Sequence, residues 1–184
     1  MHESFLLAGF GGQGVMFAGQ LLAYAAMDEG LEVTWIPSYG PEMRGGTAHC
    51  YVVISDKAIG SPIVNNPDVV FAFNNPSFTK YEHVVAKDGL LASNASLITQ
   101  KSERLDITHL PVPATAIADE IGNLRLMNVV MLGAVITTRP VVPIEAVMRA
   151  LEEHLPAHRR DMLPDNFAAL ERGAAFANEL FPVN

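Results

Sequence analysis

The residues best suited to bind a ligand form a glycine-rich turn near the amino terminus. Residues 9–14 read Gly-Phe-Gly-Gly-Gln-Gly and fit the pattern Gly-x-Gly-x-x-Gly between a predicted strand and a predicted helix. Glycines let backbone N–H groups approach an anion, and a helix N-terminus adds a positive partial charge. A turn whose glycines serve only tight helix–sheet packing is the alternative that stays open. The candidate binding residues of this turn are Gly11, Gly12, Gln13 and Gly14.

The second predicted strand bears on what this turn could bind. A dinucleotide site needs an acidic residue about 20 positions after the turn, at the end of that strand, to hold a ribose. The strand ends in Trp35-Ile36-Pro37-Ser38, and Glu32 stands at its beginning. The pattern therefore argues against a free-standing NAD- or FAD-dependent enzyme. It leaves a site for phosphate, carboxylate or another subunit as the hypothesis.

The segment that follows, residues 39–47, is predicted to be a loop at the carboxyl edge of the sheet. Arg44 is its one cation, and its guanidinium could contact a carboxylate or phosphate through two parallel hydrogen bonds. Glu42 could instead pair with Arg44 on a solvated loop. Because the glycine turn opens at the same edge, we expect both segments to line one crevice. The candidate residues here are Tyr39, Gly40, Pro41, Glu42, Arg44, Gly45, Gly46 and Thr47.

Other reactive side chains give weaker signals, and we assign neither a catalytic residue nor a metal ligand. His49 and Cys50 are neighbours on a strand, so they face opposite ways and cannot form a Cys–His pair. Cys50 is expected to be a buried thiol. The remaining candidates have no metal-ligand spacing; they are His83, His109, His154 and His158.

Hydrophobic patterning predicts one α/β domain spanning residues 1–184. Short apolar or β-branched runs predict strands at 5–8, 31–36, 48–55, 69–73, 90–93 and 107–110. Helical patterns follow at 15–29, from the turn at 74–76 to about 85, and at 114–121, 127–138, 144–155 and about 164–180. We expect three layers, α/β/α, around a largely parallel central sheet that can be mixed at its edge. The carboxyl-terminal part is helical, with helices of about residues 143–180 packed on the domain.

Composition excludes several classes of protein. The net charge is −8, and no basic stripe suggests a nucleic-acid partner. There is no apolar run of ~18 residues and no basic leader at the start, so a cytoplasmic chain that does not span a membrane is expected. Charged residues make up 17%, against about 25% in typical domains. Either a large core or a covered partner interface accounts for that shortfall, and the apolar helix 127–138 is the candidate to lie at or just under such an interface.

The glycine turn and the 39–47 segment together resemble the gamma subunits of 2-oxoacid:ferredoxin oxidoreductases. The likeness covers nearly the whole chain, is weakest after about residue 157, and is closest to the 2-oxoglutarate and branched-chain 2-oxoacid types. Pyruvate enzymes stay open. The matching text is Gly9-Phe10-Gly11-Gly12-Gln13-Gly14-Val15, Ser38-Tyr39-Gly40-Pro41-Glu42-Met43-Arg44-Gly45-Gly46-Thr47, Pro67-Asp68-Val69-Val70 and Asn128-Val129-Val130-Met131-Leu132-Gly133-Ala134.

The resemblance implies one part of a multi-subunit enzyme. Such enzymes cleave a 2-oxoacid oxidatively, join the acyl group to coenzyme A and pass electrons to ferredoxin. The implied partners are alpha, beta and ferredoxin-like delta subunits, which hold thiamine diphosphate and the iron–sulfur clusters, and a homodimer is left open. This chain would border the active site or contact coenzyme A, and alone it is expected to be inactive. The alternatives are an indolepyruvate oxidoreductase subunit and a Rossmann-like nucleotide- or anion-binding module.

The sequence itself agrees with this division of labour. An iron–sulfur cluster needs about four cysteines, and the chain has one. The nearest approach to the thiamine motif Gly-Asp-Gly is Lys87-Asp88-Gly89, which lacks the first glycine.

Overall fold

The structure, a computed structural model, describes residues 1–39 and 46–182. In these residues six strands form one sheet in the order β2-β3-β1-β4-β5-β6. The pairs β1–β4, β4–β5 and β5–β6 are parallel, whereas β3 runs antiparallel to both β1 and β2. The predicted largely parallel sheet, mixed towards one edge, is confirmed. The strands are β1 (His2–Phe10), β2 (Glu32–Tyr39), β3 (Thr47–Ser55), β4 (Val69–Ala72), β5 (Leu90–Asn94) and β6 (Thr108–Val112).

The helices follow the predicted pattern closely. Short 3₁₀ segments at Glu82–Val84, Leu124–Leu126 and Ala157–Met162 join some of them. In the part of the chain that the structure describes, none of the helices is both long and apolar enough to cross a membrane. The helices are α1 (Val15–Asp28), α2 (Asn75–Tyr81), α3 (Ala114–Ile121), α4 (Met127–Thr138), α5 (Ile144–His154) and α6 (Leu163–Leu180).

Local residues explain where several helices begin and end. The Asn74 side chain accepts a hydrogen bond of 2.9 Å from the Ser77 N–H and caps α2. Gly122, with a φ of 96°, ends α3 in the left-handed conformation that glycine adopts without strain. Pro143 precedes the first turn of α5, where its missing N–H leaves no helical hydrogen bond unmade. These signals are local, which is why the sequence predicts the helices well.

The first three strands bring the two candidate segments to one edge of the sheet. β1 and β2 run in the same direction, as the predicted strand–helix–strand opening requires, but β3 lies between them. The β1 residue Phe10 pairs with Thr47 at the start of β3, and Tyr39 at the end of β2 pairs with Ala48. The carboxyl ends of β1 and β2 and the amino end of β3 therefore meet.

Helices cover the two faces of the sheet unequally. Strand side chains alternate, so Leu7 and Phe71 face a thick layer made of α1 and α3–α6. Leu6 and Val70 face a thin layer, where Phe78 of α2 packs against them. The expected three layers are present, and most of the apolar core lies on the thick side.

Helix α4 lies at the centre of the thick layer. Its residues from Asn128 to Ile136 are all buried within the chain's own fold. The helix therefore does not itself form a surface, since a helix that is apolar all round fits a core as well as a covered surface. Its place just under a partner interface stays a prediction. The low charge content is therefore at least partly explained by a large core.

Two glycines let α4 and α6 approach each other closely. A Cβ added at Gly133 would overlap the Leu170 carbonyl oxygen, and one at Gly173 would overlap the Val130 carbonyl oxygen. The two helices therefore touch through their backbones. This explains why a glycine stands within the apolar run of α4 despite its unfavourable helix propensity.

We expect Gly173→Ala to destabilise the fold strongly, because neither backbone can move away without opening the core. Overpacking typically costs about 1–3 kcal/mol, which corresponds to a loss of roughly 2–12 °C in melting temperature for a chain of this size. Gly60→Ala is the matched control, since a Cβ there meets nothing within 4 Å. Thermal melting followed by circular dichroism measures both variants. Equal melting temperatures for the two would contradict the close helix contact.

Candidate functional site

The glycine turn connects the end of β1 to the start of α1. Gly12 and Gly14 have φ angles of 99° and 75°, a backbone region that other residues adopt only with strain. Gly14 is the N-cap residue of α1, and no side chain caps this helix. The first turn of α1 also contains no acidic residue. The positive end of the helix is therefore not neutralised by the usual local means.

Gln13 holds this turn to the neighbouring strand. Its Oε1 accepts hydrogen bonds from the Phe10 N–H at 2.7 Å and from Asn74 Nδ2 at 2.9 Å. Its Nε2 donates to the Phe73 carbonyl oxygen at 3.2 Å. Both polar atoms of this side chain thus bridge the ends of β1 and β4. In this structure Gln13 positions the turn, and its predicted contact with a ligand stays a prediction.

The glycine turn contacts the described end of the 39–47 segment, and the crevice that both segments were expected to line stays a prediction. The Gly11 N–H donates to the Gly46 carbonyl oxygen at 3.0 Å, which joins the glycine turn to the end of the 39–47 segment. Thr47 is exposed beside this contact. Of Tyr39 only the strand position is known. The other candidates of the segment lie outside the described residues, and they are Gly40, Pro41, Glu42, Arg44 and Gly45.

Asn128 is a site residue that the functional reading of the sequence missed. It is buried at the start of α4, and its Nδ2 donates to the Gly14 carbonyl oxygen at 3.0 Å. A Cβ at Gly14 would overlap this amide group. The available signal was a single amide side chain near the start of the apolar run 127–138, since a buried amide needs a specific partner.

A cavity of about 210 Å³ opens beside the turn, on the side of the sheet that the thick helical layer covers. Gly12, Gly14 and Asn128 line one wall, and Arg125 and Arg159 line others. A second cavity of about 270 Å³ adjoins it along α1 and α5. Phe17, Leu155 and Arg159 are shared between the two cavities. Neither arginine was identified from the sequence, because residues 34 positions apart give no local pattern.

The two neighbours His49 and Cys50 do face opposite sides of the sheet, as predicted. The Cys50 Sγ is buried 3.7 Å from the Val15 carbonyl oxygen, beneath α1. Burial raises the pKa of this thiol to about 12, so it stays protonated and unreactive at neutral pH. His49 lies on the other face, with its ring centroid 5.9 Å from that of Tyr51. Burial, aided by the charge of Lys80, lowers the pKa of His49.

Other histidines have structural partners. The His109 Nε2 lies 2.8 Å from the Ser93 Oγ. His154 lies 3.1 Å from an Asp28 carboxylate oxygen and stacks on Tyr24, with ring centroids 4.1 Å apart. Glu153 brings a third possible metal-ligand atom within 4.8 Å, a grouping that sequence spacing did not show. All three groups are exposed, and the ring stack and the contact with Asp28 already account for the position of His154, so we assign no metal there.

We expect Gly14→Ala to destabilise the chain more than Gly12→Ala does. Both positions have a positive φ, so each substitution costs about 1 kcal/mol of backbone strain. At Gly14 the new methyl group also overlaps Asn128, whereas at Gly12 it meets nothing within 4 Å. The extra cost is about 1–3 kcal/mol. Urea unfolding of both variants gives the difference, and equal losses would show that the turn does not press against Asn128.

Comparisons with known proteins identify the family of this chain. The model of the family described as pyruvate ferredoxin/flavodoxin oxidoreductase matches residues 4–176. The chain is 34% identical over 183 residues to the 2-oxoglutarate synthase subunit KorC of Methanocaldococcus jannaschii, covering 98% of this chain and 96% of that protein. It is 39% identical over 173 residues to the ketoisovalerate oxidoreductase subunit VorA of Methanothermobacter thermautotrophicus. That match covers 94% of this chain but 36% of VorA, so the chain spans about a third of that relative's length.

Solved structures show the same fold. The gamma subunit of a keto/oxoacid ferredoxin oxidoreductase from Geobacter sulfurreducens superposes with a TM-score of 0.82 at 26% identity, covering 96% of this chain and 99% of that one. A 2-oxoglutarate:ferredoxin oxidoreductase from Magnetococcus marinus, solved with 2-oxoglutarate, coenzyme A and succinyl-CoA bound, gives a TM-score of 0.90 at 23% identity. All of this chain and 32% of that one are covered. The chain therefore belongs to the pyruvate ferredoxin/flavodoxin oxidoreductase family.

Proposed function

We propose that this chain is the gamma subunit, or gamma-type domain, of a 2-oxoacid:ferredoxin oxidoreductase. Such an enzyme converts a 2-oxoacid to acyl-CoA by oxidative decarboxylation and passes the electrons to ferredoxin. The observation that carries the proposal is the likeness to KorC, which extends through nearly the full length of both chains. Nothing in the comparisons favours an indolepyruvate oxidoreductase.

The residues present support a role without redox chemistry of its own. Cys50 is the one cysteine of the chain, and its buried, protonated thiol is not available to a cluster. Asp88 belongs to the segment Lys87-Asp88-Gly89, which comes nearest to the thiamine motif. It lies in a turn before β5 and donates its N–H to the Asp106 carbonyl oxygen at 2.7 Å. Thiamine diphosphate and the clusters would then belong to the alpha, beta and ferredoxin-like delta subunits, with ferredoxin as the acceptor in the cytoplasm.

The candidate site supports a place at the border of the active site. Gly46 and Thr47 are fixed beside the glycine turn, and this fixes where the 39–47 segment re-enters the fold. We propose that the segment faces the channel for coenzyme A or the 2-oxoacid and that Arg44 contacts an anionic group there. The Magnetococcus marinus enzyme, whose fold this chain shares, was solved with coenzyme A bound.

A substrate of the 2-oxoglutarate or branched-chain type is the narrower proposal. The relatives reported above are named for 2-oxoglutarate and for ketoisovalerate, at 34% and 39% identity. 2-Oxoglutarate carries a second carboxylate that 2-oxoisovalerate lacks, so a charged contact distinguishes the two substrates. The residues that make this contact belong to the subunits that line the substrate pocket.

We expect the purified chain alone to show no 2-oxoacid-dependent reduction of methyl viologen, since its sequence has one cysteine and no Gly-Asp-Gly thiamine motif. Co-expression with the alpha, beta and delta reading frames of the same source should yield a complex that reduces the dye with 2-oxoglutarate or 2-oxoisovalerate and coenzyme A. Omitting this chain from the co-expression is the matched control. Turnover by the isolated chain, or full activity of a complex without it, would contradict the proposal.

A further inference from the structure

Strand β2 forms one edge of the sheet, and its outer side is open. Among residues 1–39 and 46–182, which the structure describes, β2 pairs with β3 on one side and with no strand on the other. Its apolar side chains are only partly covered, since Val33 and Trp35 are half-buried and Ile36 is 40% exposed. Such an edge carries a row of unpaired backbone N–H and carbonyl groups, with which a second strand can pair.

The hydrogen bonds of the inner strands determine which backbone groups of β2 face outward. The Phe73 N–H donates to the Ala8 carbonyl oxygen at 2.9 Å, so the backbone of Ala8 faces β4. Its neighbour Leu7 therefore faces β3, where it lies opposite Cys50. Since alternate residues of a strand face opposite neighbours, the backbone of Cys50 faces β1 and that of Tyr51 faces β2.

The same alternation fixes the orientation of β2. Tyr51 lies opposite Ile36, so the N–H and carbonyl groups of Ile36 are bonded to β3. Those of Val33, Trp35 and Pro37 therefore point to the free edge. The outward position of Pro37 agrees with its lack of an N–H, because no hydrogen bond to β3 is lost there.

The free donors of this edge are arranged symmetrically about Thr34. Pro37 has no N–H, and the Leu31 N–H already donates to a carbonyl oxygen of α1 at 3.0 Å. Between these two residues, the outward N–H groups are those of Val33 and Trp35. Thr34 lies midway between the two free donors, and also midway between the two residues that offer none.

We propose that two copies of this chain pair along β2, antiparallel to each other, about a two-fold axis at Thr34. In this register Val33 of each copy lies opposite Trp35 of the other, and each of these two pairs exchanges two backbone hydrogen bonds. Leu31 lies opposite Pro37 at both ends, so the residues without a free donor meet each other. A two-fold contact needs this kind of self-complementary edge.

The side chains fit the same register. On one face Glu32 lies opposite Ile36 of the other copy, so no like charges meet, and the two Thr34 side chains lie side by side. On the other face Val33 packs against Trp35 of the other copy, which is a favourable cross-strand pair. The proposal does not rest on the proposed function, because it uses only residues of this chain.

The contact is expected to be weak. One pair of strands buries less than the roughly 800 Å² per partner of a standard interface, and interfaces of that smaller size are usually transient. We therefore expect a Kd of roughly 10–100 µM. An extended segment of a partner subunit, added to the same edge, is the competing occupant.

Disulfide trapping of the full chain tests the register. In the proposed dimer the two Thr34 Cα atoms form a non-hydrogen-bonded pair about 4.5 Å apart, within the span of a disulfide, so Thr34→Cys should cross-link when copper phenanthroline and oxygen are added. Glu32→Cys is the matched control on the same face of the same strand, and its two Cα atoms lie about 13 Å apart. The native Cys50 is buried and gives no background. Equal cross-linking of the two variants, or none in either, would overturn the proposal.

Sedimentation equilibrium tests the dimer without a cross-link. Thr34→Lys places two like charges opposite each other and should weaken the dimer roughly five-fold at low salt. Because salt screens these charges, about 0.5 M NaCl should remove most of the difference, which it would not do for a misfolded variant. Thr79→Lys adds the same charge on α2, which packs on β1 and β4, and should leave the dimer unchanged.

Two further results would contradict self-pairing. The first is a chain that stays monomeric at concentrations well above the expected Kd. The second is a dimer that Thr34→Lys does not weaken, since its interface would then lie elsewhere. A monomeric chain whose Thr34→Lys variant no longer co-purifies with a co-expressed subunit would assign the edge to that subunit instead.

Discussion

The amide side chain of Gln13 is the contact on which the carboxyl edge of this sheet depends. It bridges the last residue of β1 and the residue after β4, and it does so at the point where both strands turn into helices. Removing it would leave the Phe10 N–H and the Phe73 carbonyl without that partner, at a cost of about 1–3 kcal/mol for each group that water cannot reach. Everything that opens at this edge is positioned relative to that bridge.

Three further elements attach to the same turn. Asn74 donates to Gln13 while its own oxygen caps α2, so the thin helical layer is fixed to the bridge. Gly46 accepts from Gly11 and fixes the start of β3. Asn128 donates to Gly14 and fixes α4, the core helix. The turn therefore joins both helical layers to the sheet.

This arrangement gives the glycine pattern a structural meaning. A Cβ at Gly9 would lie 2.7 Å from the Gln13 Oε1, and one at Gly14 would overlap Asn128. Tight packing thus requires glycine at both ends of the pattern, whether or not a ligand binds. The packing alternative that the sequence left open explains these two positions, and ligand binding by the turn stays a prediction.

Local signals in the sequence predicted most of the fold. Pro113 and Gly122 delimit α3, and the predicted bounds of α3 and α4 agree with the structure, because caps and breakers act on neighbouring residues. The place of β3 between β1 and β2 could not be predicted in this way, since strand order is set by pairing between distant segments. The cavity beside the glycine turn could not be predicted for the same reason, since distant segments of the chain line it.

Prediction was least reliable where burial depends on the whole fold. The apolar run of α4 was predicted to lie at or just under a partner interface, and the structure places it in the core of the chain. A run of apolar residues shows that a helix is covered, but it does not show by what. Asn128, the buried amide near the start of α4, indicates that the chain itself covers the helix. Its hydrogen-bond partner is the glycine turn of the same chain.

A double-mutant cycle between Gln13 and Asn74 tests the central bridge most directly. Each residue has other contacts, so the cycle is needed to isolate the hydrogen bond of 2.9 Å between them. The free energies of unfolding of Gln13→Ala, Asn74→Ala and the double variant, measured in urea against the unaltered chain, give the coupling. The account predicts a coupling of about 1 kcal/mol in favour of the pair. Additive losses, with a coupling within about 0.3 kcal/mol of zero, would show that the turn is held by something other than this bridge.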